Sequence, residues 1–379
     1  MPRHNKLISF ILAAVFSFTG TAGQFAGAQE LAIRQEWLQA LYSVPPLYRQ
    51  DTVSLCFLGD VMMHAKQIET AGRHGSGFEF SSYFSHIEKY LSKADIAVAN
   101  MEFTLAGEPY TGYPCFSAPD AIADHAAGSG IDVFLAANNH ILDRGSQGAM
   151  RTALKYRELE SSKGIRFTGI AEDEESRNDN FPLYIRNKGI TIALVNATYG
   201  TNLGATEHWP KVNYLGRKGE IQNAMAKAEE ADITIVLPHW GPEYQLQHSE
   251  NQEATAEWLV ELGADAIIGT HPHVVQDTSH IDGVPVIYSL GNAVSNMSAK
   301  DTQLELMVSM QIVRHGNGDI EMLPLRLTWL WCSRPGGYGP SYTVIPVEEF
   351  IGRQDLWIGK WDYDKMVTTY ERTRKTLKL

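Results

Sequence analysis

Six short apolar runs, each ending in polar side chains, constrain this chain more than any other feature. They are "VSLCFLGD" (Val53 to Asp60), "IAVANMEF", "IDVFLAANNH", "DITIVLPHWG", "ADAIIGTHPHVV" and "GVPVIYSLGN". Between them lie stretches with apolar residues at helical spacing, among them "FSSYFSHIEKYLSKAD", "APDAIADHAAGSG", "QGAMRTALKYRELESSKG", "KGEIQNAMAKAEEA" and "NQEATAEWLVELG". Strands alternating with helices predict an α/β fold with a mostly parallel sheet. "RFTGIA" reads as a further strand, and "FPLYIRNKGITIALVNATYG" as two antiparallel strands around the turn from Asn187 to Gly189.

The polar clusters fall where such folds keep their ligand sites, outside the carboxyl ends of the strands. They supply Asp60, Glu102, Asn138, Asn139, His140, Asp143, His239, Glu243, His271, His273 and Asn292. Singly, each has an ordinary structural reading. Asp60 also suits a turn or helix N-cap, and Asp143 suits a helix start as well as it suits orienting His140. Trp240 either floors a pocket or packs the sheet. A lone strand-end histidine is content with one hydrogen bond. Together, imidazoles, a carboxamide oxygen and carboxylates form a donor set for Zn, Mn or Fe and a poor one for Ca. In "GTHPHVVQ", Pro272 is expected to hold His271 extended and to fix two ligands before a metal arrives.

The blocks "FLGDVMMH", "ANMEF", "NNHILDRG", "PHWGPEY", "GADAIIGTHPHVVQ" and "VIYSLGN", in this order and spacing, resemble the CapA family of poly-γ-glutamate capsule biosynthesis proteins. The resemblance spans roughly Val53 to Asn292. CapA-like domains in turn resemble the calcineurin-like metallophosphoesterases, which implies a four-layer α/β/β/α sandwich of the metallophosphatase type with a metal site at the strand ends. Carried over residue by residue, Asp60 matches the first aspartate of that superfamily, and Glu102 stands where a bridging aspartate is expected. Asn139 and His140 match its Asn-His pair, His239 its lone histidine, and His271 and His273 its final block.

Two departures follow from that comparison. Met62 occupies the third position of the first block, where a histidine ligand is expected, and a thioether is a poor ligand for a hard cation. His64 replaces it only if the loop bends. Glu102 is one methylene longer than aspartate, which alters or abolishes bridging. The expected cofactor is therefore a divalent transition metal, one or two ions, with one ion held by Asn139, His239 and His271 favoured over two. The resemblance implies His140 as proton donor, and Asp143 is the candidate to orient it; the metal set is Asp60, His64, Glu102, Asn139, His239, His271 and His273.

The chain begins "MPRHNKLISFILAAVFSFTGTAGQFAGAQE". Basic residues, a short apolar run and a small-residue site ending at Ala28 predict a cleaved secretory signal over 1–28 and a periplasmic or secreted protein. A lead-in segment follows over 29–50, helical from about Glu30 to Tyr42. The metallophosphatase-type domain is expected over 51–295, with 296–379 as a β-containing extension completing it, in which no chemistry is legible. Cys56, Cys115 and Cys332 are too few for a disulfide framework, and Cys56 reads as buried packing. A formal charge of −12 excludes nucleic acid as the expected partner. The partners implied are an anionic polymer, or a small ester or amide substrate, and capsule-export membrane proteins. Three functions remain open: a capsule-polymer hydrolase, a general secreted metallophosphoesterase, and a polymer-binding or assembly factor without turnover.

Overall fold

The computed structural model describes residues 50–72, 77–205 and 208–379. The expected signal peptide and lead-in helix lie outside these residues. Among the described residues, no helix is long and apolar enough to cross a membrane.

Four strands of the first sheet run parallel: β1 (Asp51–Val61), β2 (Ile96–Met101), β3 (Val133–Leu135) and β4 (Arg166–Thr168). A two-stranded ribbon of β5 (Ile170–Ala171) and β8 (Lys211–Val212) follows β4. The second sheet contains β6 (Leu183–Asn187), β7 (Ile190–Thr198), β9 (Ile233–His239), β10 (Ala266–Ile268), β11 (Thr278–Ile281) and β12 (Val284–Ile287), in the order β11-β12-β10-β9-β7-β6. Its central strands are parallel, while β6 and β11 pair antiparallel at its edges.

The mostly parallel sheet expected from the alternation is thus two mixed sheets. The chain after β12 returns as β13 (Leu304–Arg314), β14 (Ile320–Met322), β15 (Arg326–Ser333) and β16 (Thr343–Pro346), all antiparallel, and extends the first sheet beyond β1. Long apolar runs without crossover helices between them pair this way because a short turn suffices for antiparallel neighbours.

Side chains along a strand point alternately to opposite faces. Val53, Leu55 and Phe57 of β1 meet Ile192 and Leu194 of β7, Ile235 and Leu237 of β9 and Ile268 of β10 in a core between the two sheets. Cys56 and Leu58 face the other way, into a core with the helices α1 (Ala65–Ala71), α2 (Glu88–Leu91), α3 (Ala121–Gly128) and α4 (Gly145–Lys163). After α5 (Glu174–Asn180) come α6 (Lys218–Ala228) and α7 (Glu250–Glu261), which cover the outer face of the second sheet, where Val195, Val236 and Ile267 meet Ile221, Met225 and Leu259. This is the four-layer α/β/β/α sandwich. Strands buried on both faces hide their alternation, which is why they read as unbroken apolar runs. After α8 (Val347–Phe350), helix α9 (Lys360–Leu377) adds Met366, Tyr370 and Leu377 to the inter-sheet core beside Trp329 and Trp331.

Helix ends follow local chemistry. Helix α4 stops at Gly164, whose φ of 75° places it in the left-handed region that glycine tolerates. Ser249 and Gln252 form a reciprocal cap at the start of α7.

Candidate metal centre

The parallel strands of both sheets end on one side, and their exits carry the site. The pairing of β1 with β2 shifts register between Leu58 and Asp60, a bulge centred on Gly59. A bulge re-aims the side chain that follows it. Only glycine fits there, because a Cβ at position 59 would stand 2.0 Å from the carbonyl oxygen of Gly291. Asp60 is thereby turned inward and fully buried. Glu102 follows β2 directly, with its backbone N–H donating to the carbonyl of Val61 at 3.0 Å. His239 is the last residue of β9, and His271 and His273 follow β10.

Three imidazoles converge on one carboxylate oxygen. Glu102 Oε1 lies 3.7 Å from His239 Nε2, 3.8 Å from His273 Nε2 and 3.9 Å from His140 Nε2. These separations are too long for hydrogen bonds, and both oxygens of the fully buried Glu102 lack a hydrogen-bond partner among the described residues. His271 Nδ1 is a further buried atom without one. Donors held about 2 Å from a shared cation stand about 3.3 Å apart, so the spacing suits an ion at the centre. Ligand atoms of Glu102, His271 and His273, and likewise of Asp60, Glu102 and His239, lie within 4.8 Å of one another. Glu102 is common to both groups.

The electrostatics agree with the geometry. Burial, reinforced by the charges of Asp60, Glu243 and Asp143, holds the Glu102 carboxyl well above its usual range. Burial likewise pushes His239 and His271 well below the ordinary imidazole value, with neighbouring histidines adding to it. Neutral imidazoles are the ligand form. A cation between them would stabilise the carboxylate charge that the low-dielectric pocket penalises.

Neighbouring groups fix the orientation of each donor. Asn100 Nδ2 donates to Asp60 Oδ1 at 2.7 Å, and the His271 N–H donates to Asp60 Oδ2 at 3.3 Å. His239 Nδ1 lies 3.0 Å from Thr270 Oγ1, which leaves Nε2 facing Glu102 and Asn139 Oδ1, the latter 2.9 Å away. His273 Nδ1 lies 2.9 Å from Asn292 Oδ1. His140 Nδ1 lies 2.7 Å from Asp143 Oδ2, which also accepts the Phe116 N–H at 2.7 Å. Such outer partners set the tautomer of a ligating imidazole.

Not every expected donor arrives. His64 caps α1, where its backbone and ring both meet Gln67 Oε1, at 2.9 and 3.1 Å, and the Asn296 N–H points at its Nδ1 from 3.3 Å. It belongs to neither ligand group and lines the mouth of the site instead. Burial is the main cause that lowers its basicity to about 4. His271 departs from expectation in another way: its φ is 100°, not extended, and that of His273 is 59°. Strain of this kind persists where the surrounding structure over-determines it, commonly at functional sites. The expected set of Asn139, His239 and His271 lies together, with Asn139 Oδ1 2.9 Å from His239 Nε2 and the rings of His239 and His271 4.7 Å apart. Trp240 packs the sheet, buried, with its Nε1 donating to the Tyr288 carbonyl at 2.9 Å.

A cavity of about 380 Å³ opens from this cluster, lined by Met62, His64, Tyr113, His140, Glu243 and Tyr244 among others. Asn100 and Thr270 were not legible as site residues, although each lies in a quoted strand-end block. Tyr199, half-exposed with its ring 4.6 Å from that of His271, gave no signal either.

Residues 54–297 match the family model of the bacterial capsule synthesis protein PGA_cap. The chain belongs to that family. Its relatives include the capsule biosynthesis protein CapA of Bacillus anthracis and the PGA biosynthesis protein CapA of Bacillus subtilis (strain 168). The first is 26% identical over 311 residues, 78% of this chain and 73% of that protein. The second is 26% identical over 289 residues, 73% and 72% of the two chains. A probable polyglutamine synthesis accessory protein of Mycobacterium tuberculosis is 24% identical over 213 residues, 51% of this chain and 54% of its own. Among solved structures, the NAD nucleotidase NadN of Haemophilus influenzae matches with a TM-score of 0.42 at 13% identity, covering 87% of this chain and 68% of that one. A hypothetical protein from Thermus thermophilus matches with a TM-score of 0.41 at 14% identity, covering 73% and 98%.

Proposed function

We propose that this PGA_cap family member is a metal-dependent hydrolase of the capsular polymer, poly-γ-glutamate, working outside the cytoplasm. The observation that carries the reading is the convergence of three imidazole Nε2 atoms on the orphaned carboxylate of Glu102. Zn, Mn or Fe suits that donor set. Asp60, Glu102, Asn139, His239, His271 and His273 would hold it. When bound, such an ion polarises a carbonyl or phosphoryl oxygen and acidifies a water.

The chain's own residues supply the rest. Asp143 accepts from His140 Nδ1 and so keeps Nε2 turned toward the centre. Protonated at Nε2, His140 delivers that proton to the departing amine as the amide bond breaks, while water gives its hydroxide to the acyl carbon and its remaining proton back to His140. Tyr113 and Tyr244 border the cavity that admits the chain. Export is supported by the basic, apolar and small-residue order of the first 28 residues, and capsule-export membrane proteins are the corresponding partners.

One observation favours a second reading. Met62 stands where the resemblance places a histidine ligand, and His64, whose Nδ1 meets Gln67, falls in neither ligand group among the described residues. A polymer-binding or assembly factor without turnover would have this arrangement. The test is metal analysis of purified protein together with the length distribution of poly-γ-glutamate after incubation. Stoichiometric transition metal and shortening lost in His271→Ala are expected. Metal without shortening would leave the assembly factor, and release of p-nitrophenol from a phosphodiester, with the polymer intact, would make it a phosphoesterase.

A further inference from the structure

The cavity that opens from the metal cluster is aromatic and acidic. It is lined by His140 and His273 of the centre together with Glu243, Tyr244 and Tyr113. Among the described residues that line it, none is lysine or arginine, and Glu243 is the one acidic side chain. Glu243 is exposed, as are Tyr244 and Tyr113, so a ligand entering the cavity reaches all three. No ion pair within the described residues occupies Glu243; its partner is the neighbouring hydroxyl of Tyr244.

The loop that carries these groups is fastened to the metal-binding segment. The Tyr244 N–H donates to the carbonyl of Pro272, between the two histidines, at 2.9 Å. Gln276 Nε2 donates to the carbonyls of Gln245 and Gln247 at 3.0 and 3.3 Å, and the His248 N–H donates to Asp277 Oδ1 at 2.9 Å. Tyr244 is held at a φ of 63°, with its ring 6.2 Å from that of His273. Strain of this kind persists where neighbours over-determine it. A carboxylate and rings placed in advance lose little freedom when a ligand binds.

An accessible carboxylate beside phenol rings attracts a cation, by ion pairing and through the ring faces. It also repels carboxylates, and repulsion sets specificity as much as attraction does. An interior repeat of γ-linked polyglutamate brings one carboxylate with nothing to offset it. The first residue brings an ammonium as well and is neutral overall.

We propose that Glu243, with the rings of Tyr113 and Tyr244, binds the free ammonium at the amino end of the polymer. The identity of the polymer rests on the hydrolase reading; the ammonium site does not. The bond that reacts is then the γ-amide nearest that end. Water gives its hydroxide to the γ-carbonyl carbon, the C–N bond breaks, and a proton goes to the departing nitrogen. One glutamate leaves, and the remaining chain ends in a new free amine, so shortening proceeds stepwise from one end.

The test uses a short γ-glutamate oligomer with a free amino end and its N-acetyl counterpart. Binding is read by calorimetry on the metal-loaded full chain carrying His140→Ala, which lacks the proton donor for turnover. The free-amine oligomer should bind about tenfold tighter than the acetylated one, the combined scale of an exposed ion pair and a cation over a ring. Adding Glu243→Gln should abolish that difference, and Glu243→Asp should retain part of it. Glu243→Gln should keep the native metal content and melting temperature, because the side chain is exposed and belongs to neither ligand group. With His140 present, mass spectrometry should show single glutamates released from the free oligomer and the acetylated one intact.

Equal affinity for the two oligomers would overturn the proposal, as would a preference for the free amine that survives Glu243→Gln. Loss of metal in Glu243→Gln would make that side chain part of the metal centre and overturn it too. A lysine-bearing peptide that binds through Glu243 while the two oligomers bind alike would give the cavity to a different amine, with the same result. Free-amine oligomer held through Glu243 but never cleaved would remove the hydrolase reading and leave this one. Internal cleavage of both oligomers alike would do the reverse.

Discussion

The two ends of the parallel strands use carboxylates in opposite ways. At the amino ends of β2, β3, β9 and β10 an aspartate precedes the strand and accepts the backbone N–H of a residue on the neighbouring strand. Asp95 Oδ2 accepts from Ser54, Asp132 Oδ2 from Ala97, Asp232 Oδ2 from Thr191 and Asp265 Oδ2 from Thr234, at 2.9, 2.7, 2.7 and 2.7 Å. Each backbone N–H of these four aspartates returns a bond to the carbonyl of the same partner residue. At the carboxyl ends Glu102 has no such partner among the described residues, and its neighbours are imidazoles held just beyond bonding distance. Satisfied carboxylates close the sheets; an unsatisfied one marks where a ligand completes the structure.

Ligand loss should give the largest effect. His239→Ala removes an Nε2 that faces Glu102 and should leave the purified protein without stoichiometric metal. Thr270→Val removes only the oxygen beside His239 Nδ1, and affinity should fall about 10- to 100-fold, the cost typical of an outer partner. Competition with a chelator, read by elemental analysis, orders the two. Full metal in His239→Ala would dissolve the contrast between the two strand ends. The melting temperature of the metal-free Thr270→Val protein should stay close to that of the native chain.

Gly59→Ala comes next. Its methyl would collide with the Gly291 carbonyl, and overpacking of this kind costs about 1–3 kcal/mol. Because the bulge aims Asp60, both stability and metal retention should fall together, which chemical denaturation and metal analysis can separate. At the amino end the two should part company. Asp265→Ala leaves the Thr234 N–H without its acceptor, a loss of about 1–2 kcal/mol, while metal content stays at the native level. A fall in metal for Asp265→Ala would mean that the two ends are coupled through the sheet.

This division explains what could be read from the chain. Asp60, Glu102, Asn139, His140, His239, His271 and His273 stood out because each ends an apolar run, and a run buried on both faces is legible without its partners. The aspartates before the runs gave the same local signal, an acid beside a strand, and only pairing shows that they are occupied. From sequence His64 suggests a spare ligand, although Gln67 three residues on is the signature of a reciprocal helix cap. The positive φ of His271 was hidden because Pro272 favours the opposite conformation. Glu305 lies in the antiparallel half of the first sheet. Glu305 accepts the Gly59 N–H at 2.6 Å from 246 residues away in sequence; no spacing rule reaches that far. The four-layer sandwich itself came through the resemblance, since the alternation alone pointed to one mostly parallel sheet.

The smallest effects divide the amino-end aspartates among themselves. Burial raises the Asp265 carboxyl above its usual range, only partly offset by the bond from Thr234. For Asp95 burial acts in the same direction, but Lys188 and Ser54 outweigh it and hold the carboxyl below that range. The signs of the pH dependence therefore differ. A raised acid stabilises the fold most below its unfolded pKa, and that contribution is lost as pH rises through the folded value. A lowered acid contributes above its unfolded pKa and loses that contribution as pH falls through the folded value. Asparagine keeps an acceptor oxygen and does not titrate. The melting deficit of Asp265→Asn should thus be widest in acid and narrow as pH rises, whereas that of Asp95→Asn should be absent in acid and open as pH rises. Asp95 and Lys188 are both partly exposed, so their ion pair is worth at most about 1 kcal/mol. Thermal melts of both variants from about pH 3 to about pH 8 decide the matter. Parallel profiles would show that Lys188 does not distinguish Asp95 from its counterpart in the second sheet, and that the amino-end carboxylates act as one uniform set.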